Sequence, residues 1–310
     1  MKKIITILTV LLTLVGCQSS ETKNTSTTDK HLDKKVVTVT TSFLNDMVNE
    51  LAGDIVDREV VIPAGESPHL YVAKPKDLQK IYDGDLVLYQ GLGFEGNLTE
   101  ALEQEGYCVT ENFSKDDVKT IDDEGNEIID PHFWFNIDFY KLATENVSKK
   151  LVELVPEQRE TIEKNTENYI SQLTKLDEEN RNLLSQIPED SKYLITPHDA
   201  FNYFSEWYNI PVKAPQGMGS DTEVANKDIQ KTVDFIIDHK IKAVFAESTT
   251  DPARMEKLQE DCKSRGFEVK VVSGKNQELF SDSLAPKGEI GDTFIGMYKH
   301  NVELITENLK

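Results

Sequence analysis

The chain has 310 residues, 38% of them hydrophobic and 29% charged, with a formal net charge of -21 at pH 7. Such acidity excludes nucleic acid as a partner, because its phosphates would be repelled. The size allows two ordinary domains or one large one.

Lys2 and Lys3 precede a short apolar run, Ile4 to Val15. The run has the size of a signal-peptide core and is too short to span a bilayer comfortably. It ends in Leu14-Val15-Gly16-Cys17, which resembles the lipobox of bacterial lipoproteins. Residues 1–17 are therefore expected to be a lipoprotein signal peptide, with Cys17 lipidated. Residues 18–34 are almost wholly polar and read as a flexible tether, since they cannot bury enough surface to fold. Cys108 and Cys262 then remain, in different halves of the chain, and are expected as two buried thiols.

The rest alternates strands with helices. Strand-like runs at 36–41, 56–62 and 86–89 are separated by helical stretches at 43–52 and 76–82, and a helix at 95–104 follows. After residue 190 the theme returns, with strands at 193–196, 212–214, 243–246 and 267–272. Helices are expected at 200–207, 227–239, 252–265 and 293–308. This order predicts an α/β fold with largely parallel sheets. Between the halves, Pro156 to Gln186 is charged and free of internal Gly and Pro, and Ile162, Tyr169, Leu173, Leu176 and Leu183 fall on one narrow face. At ~1.5 Å per residue this helix would run roughly 45 Å. It predicts one long rigid α-helix joining two α/β lobes, residues 35–155 and 191–310, with the connector spanning 156–190. A coiled-coil dimerisation arm needs more heptads than are present, so the chain is expected to be a monomer.

Three of the six histidines follow proline: Pro68-His69, Pro131-His132 and Pro197-His198. Eleven prolines and six histidines in 310 residues make even one such pair uncommon by chance. Proline fixes its own backbone and biases the preceding residue toward an extended form, so each histidine sits at a defined point where a strand gives way to a loop or helix. Pro197-His198 directly follows a predicted strand, at the carboxyl end where α/β sheets hold ligands. Three imidazoles presented in this way suit a transition metal. A fourth ligand should be a hard or borderline group, and Asp282 in Leu279-Phe280-Ser281-Asp282-Ser283-Leu284 is the preferred acid, although spacing alone singles it out only weakly. Its loop, near Gly288 and Gly291, is expected to be the least anchored of the four.

The segments Ser67-Pro68-His69, Lys74-Pro75-Lys76-Asp77, Asp130-Pro131-His132-Phe133-Trp134-Phe135, Pro197-His198-Asp199-Ala200-Phe201 and Val244-Phe245-Ala246-Glu247-Ser248, with the Asp282 segment, together resemble the metal-binding lipoproteins of zinc and manganese ABC importers, the cluster A-I solute-binding components. The resemblance covers nearly the whole chain. It implies that His69, His132, His198 and Asp282 coordinate one divalent transition-metal ion, manganese or zinc, between two lobes. It also implies that the ion passes to the membrane permease of an ABC importer and its ATPase, with the protein held on the outer face of the cell membrane by a lipid anchor in the bilayer. Zinc-specialised relatives carry a histidine-rich acidic loop before the second ligand, whereas Ser114 to Asp130 contains no histidine. That departure favours manganese, while the general affinity order keeps zinc open.

Two other classes are weighed against this. A lipid-anchored metalloenzyme would keep an open position on its metal, and neither His-Glu-x-x-His nor Gly-x-Ser-x-Gly occurs. A surface adhesin would be marked by repeats or an aromatic patch, and neither is evident. Glu247 is expected either to support a ligating imidazole or to cap locally. Trp134 and Phe133 are expected to pack around His132, and His239 to end a helix. His300 is expected to lie on the final helix without ligating, and His31 to be solvated in the tether. Metal affinity should fall as pH drops through roughly 6.5, where free histidine protonates.

Overall fold

The structure, a computed structural model, describes residues 34–123, 126–217 and 226–310. The signal peptide, Cys17 and nearly all of the expected tether lie outside the described residues. β-Branched Val36–Val39 forms β1, and Thr41 caps α1 (Ser42–Ala52) by accepting the Leu44 amide on its hydroxyl. β2 (Asp57–Val60), α2 (Pro75–Asp83), β3 (Leu86–Tyr89), α3 (Thr99–Glu105) and β4 (Tyr107–Cys108) follow. Pro75 opens α2 at a position where its missing N–H costs nothing. The four strands form one parallel sheet in the order β2-β1-β3-β4.

The acidic stretch before the second histidine, to which the sequence assigned no element, is a β-hairpin, β5 (Thr120–Asp123) paired with β6 (Asn126–Ile129). It is followed by α4 (Ile137–Leu154), an 18-residue helix capped by the Asn136 side chain, in a region to which the sequence assigned no element.

The long helix is present. A 3₁₀ turn at Pro156–Gln158 runs straight into α5 (Arg159–Leu184). Its buried face is Ile162, Thr166, Tyr169, Leu173, Leu176, Asn180 and Leu184. Leu183 lies one position off that stripe and is half-buried, packed against the core from its edge. α5 packs on α1 and α4 and also on α9 at the end of the chain.

The second half contains β7 (Leu194–Ile195), α6 (Asn202–Tyr208), β8 (Val212–Lys213), α7 (Asn226–Asp238), β9 (Ala243–Phe245), α8 (Ala253–Ser264), β10 (Lys270–Val272) and α9 (Phe294–Leu309). Its strands are shorter than expected and pair in parallel couples, β7 with β8 and β9 with β10. No sheet among the described residues joins strands of the two halves. The fold is α/β with parallel sheets and one long helix, as the alternation predicted. One hydrophobic core nevertheless includes Phe43, Trp134, Tyr169, Phe201, Phe294 and Tyr298, drawing on both halves and on α5. Cys108 and Cys262 are free thiols; Cys262 is buried and Cys108 half-buried.

Candidate metal centre

Two of the three Pro-His pairs closely follow a strand, and the third lies within a loop. His69 lies in the loop between β2 and α2, His132 just after β6 and before the 3₁₀ turn Phe133–Phe135, and His198 just after β7. Asp282 lies in the loop before α9. The fold brings these four together: one ligand atom from each lies within 4.8 Å of all the others. His69 Nε2 is 3.3 Å from His132 Nε2. Asp282 Oδ1 is 3.4 Å from His132 Nε2 and 3.2 Å from His198 Nε2. His132, His198 and Asp282 are buried and His69 half-buried.

Carboxylates stand behind two of the rings. Asp130 Oδ1 is 2.7 Å from His132 Nδ1 and also accepts the His132 backbone N–H. Its other oxygen accepts from Asn202 Nδ2. Glu247 Oε2 lies 2.5 Å from His198 Nδ1, a charge contact whose angle is not that of an aligned hydrogen bond, and accepts from the Ser281 hydroxyl at 2.8 Å. Such partners fix the outer nitrogen, leave Nε2 facing the ion, and raise ligand basicity. Glu247 lies beside the His198 ring and also bonds to Ser281, so the structure places it next to both alternatives weighed for it. Asp130 was not singled out, although an acid two residues before a histidine across a proline was a legible signal.

The acids divide the imidazoles electrically. Burial lowers the pKa of His132, but Asp130 and then Asp282 outweigh it and raise the pKa to about 9. At His198 burial is likewise outweighed, by Glu247 and Asp282, and the pKa rises well above the ordinary value. At His69 burial dominates over Asp282, His132 and His198 reinforce it, and the pKa falls to about 4. Burial opposes ionisation of Asp282, yet His198 and His132 hold its pKa well below the carboxylate range.

The Asp282 loop is firmly tied, contrary to the expectation from its glycine neighbours. Trp134 Nε1 donates to the Ser281 carbonyl at 3.0 Å. Gly65 N donates to the Ser283 hydroxyl at 2.8 Å, and Leu284 N to the Ser42 hydroxyl at 2.9 Å. The Asn301 side chain brackets both backbone groups of Phe280. Gly291 is itself held in this segment: its carbonyl accepts the Ala285 amide at 3.0 Å and its backbone packs against the Phe280 ring. Trp134, fully buried, also packs edge-on to His132 with ring centroids 5.2 Å apart, as expected.

A cavity of about 170 Å³ lies beside the cluster, lined by Ser67, His69, His198, Thr249, Arg254 and Asp282 among others. It gives an ion a route to three of the four ligands. The remaining described histidines stay apart: His239 Nδ1 meets the Phe235 carbonyl and His300 Nε2 the Glu278 carbonyl. His31 is outside the described residues.

Comparison with known proteins agrees with this geometry. Residues 37–308 match the family described as zinc-uptake complex component A, periplasmic. The chain is 33% identical over 303 residues to the manganese-binding lipoprotein MntA of Bacillus subtilis (strain 168), covering 96% of this chain and 95% of that one. It is 29% identical over 307 residues to the iron ABC transporter substrate-binding lipoprotein MtsA of Streptococcus pyogenes serotype M1, covering 96% and 94%. A solved structure of a TroA, studied for its metal-binding specificity, superposes with a TM-score of 0.88 at 58% identity, covering 89% of this chain and all (100%) of that one. The periplasmic zinc-binding protein TroA from Treponema pallidum superposes with a TM-score of 0.83 at 30% identity, covering 89% and 99%. With a shared two-lobe fold and a match over almost all the described residues, the chain belongs to the zinc-uptake component A family of metal-binding transport proteins.

Proposed function

We propose that this protein captures one divalent transition-metal ion as cargo outside the cell membrane and presents it to the permease of an ABC importer. The convergence of His69, His132, His198 and Asp282 on one point carries this reading. Three imidazoles and one carboxylate fill a tetrahedral shell, which suits binding and release and leaves no open position for turnover. In this reading His69 and His132 come from a first lobe, residues 35–155, and His198 and Asp282 from a second, residues 191–310, with the 156–190 segment between. The protein acts as a monomer, Cys17 carries the lipid that holds it to the bilayer, and the importer's ATPase drives uptake.

Capture exchanges protons for the ion. His132 and His198 hold protons at neutral pH before loading, because the acids beside them raise their pKa values. A divalent ion that displaces both leaves the total charge of the pocket unchanged, so loading needs no compensating charge elsewhere. His69 is already neutral and gives up no proton. Asp282 stays ionised and anchors the ion electrostatically.

Manganese is the proposed cargo. The segment before His132 that zinc-specialised relatives fill with histidines is here a short hairpin with none. The names of relatives support a manganese or iron cargo as readily as zinc. Zinc ranks above manganese in general affinity, so the distinction rests on supply as well as on the site. Metal analysis of protein isolated without added metal, followed by manganese–zinc competition, tests both points. Manganese recovered from cells supplied with both metals supports the assignment, and zinc recovered under manganese excess overturns it. Protein that binds neither would sink the whole reading.

A further inference from the structure

Asp130 and Glu247 stand behind His132 and His198, but no acid forms an ion pair with His69 among the described residues. What holds His69 is the turn between β3 and α3. Gly91, Leu92, Gly93 and Gly96 in this turn all have positive φ, at 83°, 57°, 80° and 44°. Glycine takes that path without strain, so the run Gly-Leu-Gly-Phe-Glu-Gly folds back on itself. Two of its residues touch the ligand. Phe94 meets the His69 ring edge-on, with centroids 4.8 Å apart and planes at 89°, and packs on Trp134 at 4.7 Å. Gly96 lies so close that a Cβ there would be 3.0 Å from the His69 carbonyl oxygen.

Between these two contacts sits Glu95, whose side chain is buried. Its Oε1 accepts from the Thr40 hydroxyl at 2.7 Å and from Gln90 N at 2.6 Å, and its Oε2 accepts from Gly91 N at 3.1 Å. Thr40 directly follows β1, so the carboxylate ties the turn to the carboxyl end of the central strand. Burying a carboxylate is costly unless its lone pairs are used, and here donors converge on both oxygens. A glutamine offers one acceptor oxygen, and its NH₂ would face another donor.

Building on the metal-capture reading above, we propose that Glu95 is a positioning residue for that site: it fixes the turn whose Phe94 and Gly96 set the ring of His69. It does for the third imidazole, through packing, what Asp130 and Glu247 do for the other two by direct contact.

The test is Glu95→Gln, with metal affinity read by competition against a chromogenic chelator. The expected loss is about tenfold or more, in the range typical of residues that orient ligands. That loss should vanish when His69 is already alanine and persist in a His198→Ala background, since coupling exists only along the proposed path. The visible spectrum of the Co²⁺-loaded variant should move toward that of His69→Ala. Should Glu95→Gln not fold, Gly96→Ala carries the same test, because its methyl group presses on the backbone of His69. A lowered melting temperature for the metal-free protein with unchanged affinity and Co²⁺ spectrum would overturn the proposal, as would equal losses in both backgrounds. Wild-type protein that binds no transition metal would remove the underlying reading instead, so the two failures are distinguishable.

Discussion

His69 and His132 arise from the same local signal, a histidine after proline, and their Nε2 atoms lie 3.3 Å apart. Their affinities for a proton nonetheless differ in opposite directions from the ordinary value, to about 4 and about 9. Behind His132 stands a carboxylate, and behind His69 the edge of a phenyl ring. Proline fixes where a ring is presented, while the group on its far side decides its charge. One pocket therefore contains a ligand ready to accept a metal and two that must first release protons.

The largest effect that tests this comparison removes a ligand. Metal at one hundred times the dissociation constant should stabilise the wild-type protein by ~2.7 kcal/mol, because the ion binds the folded form. His132→Ala should lose affinity by on the order of one hundredfold or more, cutting that gain to below about 0.5 kcal/mol at the same metal concentration. His300→Ala should keep the full gain, since the His300 ring bonds to the Glu278 carbonyl and packs on Phe280, outside the cluster of four ligands. A thermal-shift titration in which the two variants respond alike would show that the metal is bound elsewhere.

A smaller change leaves the ligand and alters what stands behind it. Asp130→Asn should weaken metal binding roughly 10- to 100-fold. It should also bring the proton affinity of His132 down toward that of His69, because the main opponent of burial is gone. Nuclear magnetic resonance titration of the metal-free His132 ring measures this directly. An unshifted titration would mean that Asp282 alone sets its charge.

How much of this was legible follows from range. The Pro-His pairs are local signals, and the three rings they mark do meet, together with the acid that the family resemblance supplied. The long helix was legible because its apolar period runs uninterrupted through a Gly- and Pro-free segment. α4 carried a comparable signal, being free of Gly and Pro, and was missed; three of its nine buried residues, Thr144, Asn146 and Ser148, are polar. The hairpin at residues 120–129 carries β-branched Thr120, Ile121, Ile128 and Ile129 at its open end, a strand signal that the intervening acids obscured. Glu95 and the clamp on the Asp282 loop were out of reach for another reason. Ser42 and Ser283 are 241 positions apart and Thr40 and Glu95 are 55 apart, and single-chain periodicity carries no information about such pairs.

pH sharpens the comparison further. The sequence placed the loss of affinity near pH 6.5, but the raised values of His132 and His198 move it upward. Each ion bound near pH 7 should release about two protons, and apparent affinity should climb until the pH passes about 9. Isothermal titration in buffers of different ionisation enthalpy counts these protons, and a count near zero would break the exchange scheme. For the metal-free protein the sign reverses. A histidine with a raised folded pKa contributes stability below its unfolded value of about 6.5, and loses it as pH rises through about 9. The melting temperature without metal should therefore fall over that window, while the gain on adding metal grows.

The smallest expected effect lies away from the metal, at a group shifted as His69 is, chiefly by burial. Asp46 on α1 is buried and accepts the amide of Phe294, the first residue of α9. Burial raises its pKa to about 7; the Phe294 N–H opposes this, Glu50 and Asp292 reinforce it, and Arg58 opposes it weakly. An acid whose folded pKa exceeds its unfolded value near 3.8 contributes stability that is present below 3.8 and lost as pH rises through about 7. At pH 8 the protein therefore carries a buried charge with little to compensate it. Asp46→Asn keeps an oxygen for the Phe294 amide and removes the charge. It should raise stability at pH 8 by ~1 kcal/mol, a discounted share of what a shift of this size implies, and give no gain at pH 4. Denaturant unfolding of the metal-free protein at both pH values measures the difference. Equal effects at the two values would mean that the seam between α1 and α9 tolerates the charge, and that burial alone does not govern the unpaired groups of this fold.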